Sequence, residues 1–235
     1  MLVNPEDISD GTGHHLDASI DRDSETTVRL DRVGYPGKRA MDLVISASLV
    51  VLFLPAMIAI ALAIRLGSPG PVFFRQQRLG VGGARFNLLK FRTMVLDAED
   101  RLQAVLAGSP DLRDEYAVFH KLAHDPRVTP IGRFLRKTSL DELPQLFNVL
   151  RGDMSVVGPR PYLPVERGKI GPAFASIVRS KPGLTGPWQV GGRNRATFAE
   201  RVEIERHYAG TCSFRTDCRL LIATVGAVLK MDSTS

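Results

Sequence analysis

The sequence is poor in the residues that mark several common kinds of binding site. Its two cysteines, Cys212 and Cys218, have neither metal-site spacing nor a cluster of histidine partners, and we interpret them as ordinary thiols in a reducing compartment. Aromatic residues make up only 7% of the chain, which argues against a stacking surface for single-stranded nucleic acid. Helix-turn-helix, zinc-finger and ribonucleoprotein signatures are absent as well. We therefore expect no nucleic-acid partner.

Acidic residues are fewer than basic residues, and the resulting positive charge indicates an anionic partner. The 235-residue chain carries a net charge of +6 and has a pI near 9.6. With nucleic acid set aside, phospholipid and a phosphorylated small molecule are the candidate partners. The acidic residues are frequent at the N-terminus instead, where residues 1–33 are polar and lack apolar periodicity. We expect a disordered polar tail there, and no signal peptide.

Charge is missing altogether between Leu43 and Ile64, and this stretch dominates the chain. As a helix it would be about 33 Å long, roughly the thickness of a bilayer's hydrocarbon core. Basic residues flank both ends of this stretch. Because basic residues favour the cytoplasmic side, a helix that simply crossed the membrane would place one basic flank on the wrong side. Pro55 favours a kink in the middle. We therefore predict a re-entrant membrane helix over residues 34–66, which bends at Leu54–Pro55 and leaves by the face it entered. A full span and a buried soluble helix are the alternatives.

Residues 67–235 are predicted to form one cytoplasmic domain. Two β-capable runs around the glycine turn at 79–83 predict a hairpin. Helices are expected at 95–106, 112–122, 131–137, 170–180, 196–208 and 216–230, the last of them on the bilayer or on the core. Prolines predict irregular structure at 156–164 and a loop at 181–195. The fold class is thus α+β: a mainly helical catalytic domain with a small β-hairpin, anchored by an N-terminal re-entrant membrane helix.

The adjacent acids Asp141 and Glu142 lie where a helix is expected to begin, and Gly152 is expected to end this helix after Arg151. Either Asp141 is the N-cap, or Ser139 is the N-cap and Glu142 closes a capping box. A carboxylate can also attack phosphorus to form an acyl phosphate, provided that metal and guanidinium groups neutralise the phosphate charge. Arg136 and Arg160, the latter held in a rigid Pro-Arg-Pro, could supply such groups. Taken singly, the two acids are better explained as helix-capping residues, and Arg160 as a surface arginine or part of a structural ion pair.

Six motifs in a fixed order carry a resemblance. They are Lys-Arg-Ala-Met-Asp at 38–42, Pro-Val-Phe-Phe-Arg-Gln at 71–76, Lys-Phe-Arg-Thr-Met at 90–94, Leu-Arg-Lys-Thr-Ser-Leu-Asp-Glu-Leu-Pro-Gln at 135–145, Val-Gly-Pro-Arg-Pro at 157–161, and Lys-Pro-Gly-Leu-Thr-Gly at 181–186 with Gly-Arg-Asn at 192–194. Over about residues 34–231 the chain resembles the bacterial sugar transferase family, the monotopic phosphoglycosyltransferases. Within that family it is similar to undecaprenyl-phosphate galactose or glucose phosphotransferases.

The resemblance implies a reaction and a location. The family transfers a sugar-1-phosphate from a UDP-sugar to a polyprenyl phosphate, here undecaprenyl phosphate, with release of UMP and with Mg²⁺ as cofactor. The reaction takes place at the cytoplasmic face of the bacterial inner membrane, in contact with membrane lipids, and starts exopolysaccharide assembly. A catalytically inactive sensor or scaffold that binds sugar nucleotides is the alternative function. The resemblance leaves the choice between galactose and glucose open, and a homo-oligomer is likewise left open.

The resemblance also implies roles for individual residues. Asp141 would be the nucleophile, Glu142 would assist it, and the two carboxylates would be the metal ligands. The residues matching basic groups that hold phosphates or the nucleotide are Lys90, Arg136, Arg160 and Arg193. Asp217 and Arg75 match the site less directly. The membrane helix would be broken at Leu54 and Pro55.

Overall fold

The uncharged stretch forms the first helix of the protein. The computed structural model describes residues 33–119, 122, 125–191 and 197–230, so the predicted N-terminal tail lies almost wholly outside the described residues. Helix α1 runs from Lys38 to Gly67 and has Pro55 inside it. It is long and apolar enough to cross a membrane, and only 17% of its most apolar window is buried inside the protein. A helix in a soluble core would be mostly buried, so this exposure argues against the soluble alternative.

The rest of the described chain is mainly helical, as predicted. The further helices are α2 (Ala98–Gly108), α3 (Pro110–Phe119), α4 (Pro130–Thr138), α5 (Gln145–Arg151), α6 (Arg167–Ile170), α7 (Phe174–Ile177), α8 (Pro187–Gly191), α9 (Phe198–Thr211) and α10 (Phe214–Lys230). Helix α10 places Leu220 and Leu221 against the core, while Ile222 and Val225 are exposed. One face of this last helix is therefore bound to the protein itself.

The predicted hairpin is confirmed and takes part in all three buried apolar clusters. Strands β1 (Phe73–Leu79) and β2 (Arg85–Phe91) pair antiparallel, so that Arg78 lies opposite Phe86 and Phe74 opposite Lys90. Leu88, Phe91 and Leu79 each belong to a different cluster. Since alternate residues of a strand point to opposite faces, Arg78, Leu88 and Lys90 share one face of the hairpin.

A second sheet was missed by the sequence analysis. Strands β3 (Ser155–Val157) and β4 (Gly183–Thr185) pair in parallel within the segments predicted to be irregular. The prediction was wrong here because the prolines follow β3 rather than interrupt it. Close backbone approach explains the glycines, since a Cβ on Gly183 would lie 2.1 Å from the amide nitrogen of Gly158. Glycine is needed where two backbones approach this closely.

Both ends of α1 are bound to this same folded body. Near the N-terminal end, Arg39 donates hydrogen bonds to the carbonyl oxygens of Val149 and Leu150 on α5. Asp42 is buried and accepts from Ser155 and from the amide of Val156 in β3. At the C-terminal end, Arg92 donates to the carbonyl oxygens of Ser68 and Pro69. Met57, Ile60 and Ile64 pack beside Phe91 and Leu135.

Candidate active site

The acid pair lies in a short 3-10 turn between two helices. α4 ends at Thr138, Ser139 follows with φ of +56°, and the turn covers Leu140–Glu142. Among the described residues Ser139 is the one non-glycine with positive φ, a conformation that costs about 1 kcal/mol or more. The left-handed residue ends α4 and turns the chain, so the predicted N-caps were wrong. Neither Ser139 nor Asp141 caps α5, whose N-cap position is Pro144.

Lys90 joins this turn to the hairpin. Its Nζ donates to Oε1 of Glu142 at 2.7 Å and lies 3.8 Å from Oδ2 of Asp141. The alternation of β2 directs Lys90 to the same face as Leu88 and away from Leu89. The structure therefore brings together the lysine and both acids that the resemblance singled out.

Asp141 is buried but not isolated from charge. The residue is 8% exposed, and burial raises the pKa of its carboxyl above the ordinary value, with a smaller contribution from Glu142. Lys90 and Arg136 act in the opposite direction and lower the pKa. A desolvated carboxylate next to two cations is a stronger nucleophile than one surrounded by water, because less hydration must be removed before attack.

Arg136 and Arg160 face the same cleft from different elements. The Nε of Arg136 donates to Oγ1 of Thr93 at 2.9 Å, which fixes the end of α4 against the end of β2. Arg160 follows β3, and its guanidinium lies over the Trp188 ring at 5.2 Å from the centroid. Both arginines were proposed from the sequence. The structure adds Thr93 and Trp188 as the side chains that orient them.

The Arg160 segment is held on several sides. The amide of Gly158 donates to the Thr185 carbonyl at 2.9 Å, and the amide of Gly183 donates to the Pro159 carbonyl at 2.7 Å. The guanidinium of Arg78 donates to the Pro161 carbonyl at 3.0 Å. The Arg160 amide itself donates to Oε2 of Glu205 at 3.0 Å. A segment with two prolines and this many restraints presents Arg160 in a fixed position.

These elements enclose a cleft of about 300 Å³. Among the described residues, its cationic lining comprises Arg78, Lys90, Arg136 and Arg160. The remaining lining residues are Leu88, Ser139, Glu142, Gln145, Pro161, Gly183, Leu184, Trp188 and Gln189. Asp141 is not itself among the lining residues, but it precedes Glu142 and lies 3.8 Å from Lys90, which both line the cleft, and its side chain is 12% exposed. Such a concentration of positive charge beside a carboxylate pair suits a ligand with several phosphate charges.

Three of the residues named from the sequence lie elsewhere or were not described. Asp217 is fully buried and accepts hydrogen bonds from Lys38, Tyr35 and Tyr208, so it contacts the start of α1 and not the cleft. Arg75 is exposed on the hairpin face opposite to Lys90. Arg193 lies outside the described residues.

Sequence reasoning missed Arg78, Gln145, Trp188 and Glu205. Arg78 could have been found, because the hairpin register and the two-residue strand period place it on the face of Lys90. Trp188 is the single tryptophan of the chain, which was a weak signal. Glu205 gave none, since it lies in a run of charged residues that predicted a surface helix.

Donor chemistry at the acid pair fits a divalent cation. Mg²⁺ is usually bound through one or two carboxylates together with substrate phosphates and water. Asp141 and Glu142 supply two adjacent carboxylates, of which Glu142 lines the cleft. Within the described part of the chain no group of three or more His, Cys, Asp or Glu side chains could hold a metal alone. A metal at Asp141 and Glu142 would therefore depend on the substrate for further ligands.

Comparison with known proteins identifies the family. The chain matches the bacterial sugar transferase family over residues 33–231 and belongs to it. It is 39% identical over 204 residues to the exopolysaccharide production protein ExoY of Rhizobium meliloti, covering 87% of this chain and 90% of that protein. It is 38% identical over 244 residues to the UDP-glucose:undecaprenyl-phosphate glucose-1-phosphate transferase of Caulobacter vibrioides, covering 96% and 85%.

Some relatives are much longer. The UDP-galactose-lipid carrier transferase of Erwinia amylovora is 42% identical over 195 residues, which cover 83% of this chain but only 41% of that protein. The chain thus spans less than half the length of that relative and most of the length of ExoY. The family match over residues 33–231 includes the elements that build the cleft.

Proposed function

We propose that the protein transfers a sugar-1-phosphate, with galactose or glucose as the sugar, from a UDP-sugar to undecaprenyl phosphate and releases UMP. The observation that carries this proposal is the Lys90-bridged acid pair, Asp141 and Glu142, beside a cleft lined by four cationic side chains. The relatives named for undecaprenyl-phosphate transfer support the substrates. The relatives named for exopolysaccharide production support a place in that synthesis, and we propose that this transfer is its first step.

The proposed reaction has two displacements at one phosphorus atom. The Asp141 carboxylate attacks the sugar-linked phosphorus, the bond to the bridging oxygen breaks, and UMP leaves with the electron pair. The phosphate of the lipid then attacks the same phosphorus, and the bond to Asp141 breaks to restore the carboxylate. The product is a lipid diphosphate sugar. Each step conserves charge without an oxidant or reductant.

The cationic side chains neutralise the charge that these steps concentrate. Lys90 pairs with Glu142 and lies next to Asp141, so its ammonium group can neutralise charge on the phosphate as the bond to Asp141 forms. Arg136 and Arg160 both line the cleft, where they can neutralise the charge of the diphosphate. Such preorganised charges are worth most in a site that excludes water. Mg²⁺ held by Asp141, Glu142 and the substrate would supply additional neutralisation of the diphosphate.

The contacts of α1 support a re-entrant arrangement at the cytoplasmic face of the inner membrane. Arg39 and Asp42 bind the folded body at one end of α1, and Ser68 and Pro69 bind it at the other. A helix that crossed the bilayer would place its ends on opposite sides, about 30 Å apart, where one water-soluble body could not bind both. The re-entrant arrangement also keeps the flanking arginines on one side, as the distribution of basic residues favours.

Labelling of introduced cysteines tests this topology. In a protein with Cys212 and Cys218 replaced by serine, Gly34→Cys and Pro71→Cys place thiols at exposed positions before and after α1. Both should react only with reagent on the cytoplasmic side of membrane vesicles. Reaction of the two thiols from opposite sides would establish a full span.

A UMP-release assay tests the reaction. The purified protein is supplied with undecaprenyl phosphate, Mg²⁺ and one member of a panel of UDP-sugars at a time. We expect UMP release with UDP-galactose or UDP-glucose, and its loss in Asp141→Asn at unchanged membrane association. Binding of UDP-sugar without UMP release would identify the inactive sensor instead, and turnover by Asp141→Asn would exclude Asp141 as the nucleophile.

A further inference from the structure

Glu205 is a buried acid on a helix whose neighbouring charges are exposed. On α9 the side chains of Glu203 and Arg206 are 61% and 52% exposed and pair with each other, whereas Glu205 is 0% exposed. Its Oε2 accepts the amide hydrogen of Arg160, and its Oε1 has no hydrogen-bond partner among the described residues. Burial of a half-satisfied carboxyl is unfavourable, so its presence here calls for a role.

Two guanidinium groups act electrostatically on this carboxyl and both lie over one aromatic ring. Arg160 and Arg201 lie over Trp188 at 5.2 and 5.3 Å from the ring centroid. Arg201 also lies over Tyr162 at 5.0 Å and pairs with Glu166 at 3.2 Å. Any change of charge on the carboxyl therefore acts on both guanidiniums that contact the indole.

We propose that Glu205 is a positioning residue, which holds the Arg160 guanidinium over Trp188 at the cleft through its hydrogen bond to the Arg160 amide. The positioning of Arg160 is argued from the geometry. Its consequence for catalysis rests on the proposed function. Other hydrogen bonds to residues 158–162 within the described structure come from backbone groups and from Arg78, which do not change charge near neutral pH. Among these hydrogen-bond partners of residues 158–162, the Glu205 carboxyl is therefore the group whose charge can change near neutral pH.

Protonation gives the restraint a pH dependence. Burial raises the pKa of Glu205 to about 7, against the opposing effects of the Arg160 amide and of the Arg201 and Arg160 guanidiniums. The groups that face it are Arg160, Arg201 and Tyr162, with Glu166 beyond Arg201. Above this pH the carboxylate is charged and binds the Arg160 amide more strongly. Below it the neutral carboxyl is a weaker acceptor, and both guanidiniums lose an attraction.

Trp188 makes this positioning directly observable. It is the single tryptophan of the chain, so the intrinsic indole fluorescence of the full-length protein in detergent reports on this cluster. We expect the emission of the wild type to change with pH around a midpoint near 7. Glu205→Gln keeps the size and an acceptor oxygen but cannot ionise, and it should abolish the transition. His207→Gln, which removes the imidazole two residues further along α9, should retain it.

Kinetics supply the second readout. With Glu205→Gln we expect kcat/KM for the UDP-sugar to fall about tenfold at pH 8, because a charge-assisted hydrogen bond to the binding segment is weakened. The wild-type kcat/KM should fall towards the mutant value as the pH is lowered to 6. A purely structural role would leave the pH profile of the mutant parallel to that of the wild type.

The outcomes separate this inference from the proposed function. A fluorescence transition in Glu205→Gln equal to that of the wild type, or no transition in the wild type between pH 5.5 and 8.5, would overturn the positioning role. If Glu205→Gln does not fold, Arg160→Lys decides, because loss of the guanidinium should reduce the amplitude and an unchanged amplitude would refute the role. A wild type that releases no UMP, yet shows the transition, would refute the proposed function alone.

Discussion

Asp217→Ala should destabilise the protein strongly, although Asp217 lies outside the cleft. Asp217 is fully buried and accepts hydrogen bonds from Lys38, Tyr35 and Tyr208. Burial together with Asp217 raises the pKa of both tyrosines, so their hydroxyls stay protonated and donate. Removal of the carboxylate leaves an ammonium group that is only 13% exposed without its counter-ion.

The size of the loss follows from what remains. Breaking a buried ion pair by removing one partner costs about 3–5 kcal/mol. Lys38 keeps its hydrogen bond to the carbonyl oxygen of Val157, and the single hydroxyl hydrogen of Tyr208 can turn to the same oxygen, so the lower end of this range applies. For a chain of this length, about 3 kcal/mol lowers the midpoint of thermal unfolding by about 6–12 °C.

Thermal unfolding in detergent, followed by far-UV circular dichroism, measures this shift. Glu203→Ala is the matched control, because the Glu203–Arg206 pair is exposed and its loss should leave the midpoint of thermal unfolding close to that of the wild type. Asp217→Asn, which keeps an acceptor oxygen, should lie between the two. If Asp217→Ala unfolds at the same temperature as Glu203→Ala, the hydrogen bonds that Asp217 accepts do not stabilise the start of α1.

Three further predictions concern the cleft. Lys90→Met removes a charge that lowers the pKa of Asp141, so the acid limb of the UMP-release profile should move to higher pH, and an unmoved limb would contradict this assignment. Gly158→Ala should lower the free energy of unfolding by about 1–3 kcal/mol, since its Cβ would lie 2.3 Å from the Lys181 carbonyl oxygen. Gly168→Ala is the control, because a Cβ there meets open space, and equal denaturation midpoints of the two variants would refute the prediction. EDTA should stop UMP release and excess Mg²⁺ should restore it, and activity insensitive to EDTA would exclude the metal at the acid pair.

The sequence predicted the elements whose signals are local. The uncharged run defined α1, the glycine turn defined the hairpin, and Gly152 was correctly expected to end a helix, which it does with φ of +95°. The acid pair and Lys90 were also identified, through motifs whose order carried the family resemblance. Their contact could be expected from neither motif alone, because Lys90 and Glu142 are brought together only by the packing of β2 against the 3-10 turn.

The features that were missed depend on tertiary structure. Strands β3 and β4 are three residues each, too short for a periodic signal, and they pair across a long separation in sequence. The capping prediction failed because Ser139 adopts a left-handed conformation that ends α4 before the acids. Glu205 has the same local pattern as Glu203, and only the packing of α9 against the Arg160 segment buries one and exposes the other.

Contacts at both ends of α1 reach segments that carry cationic residues of the cleft, so α1 would determine where the proposed reaction occurs. Asp42 on α1 holds the amide of Val156, shortly before the segment that presents Arg160. At the other end of α1, Arg92 follows directly after Phe91 and Lys90 and binds the carbonyl oxygens of Ser68 and Pro69. If α1 dips into one leaflet, its depth fixes the height of both walls of the cleft above the lipid. A lipid phosphate at the level of the headgroups would then meet Asp141 without leaving the bilayer, and a soluble form lacking α1 would lose its supports on both walls.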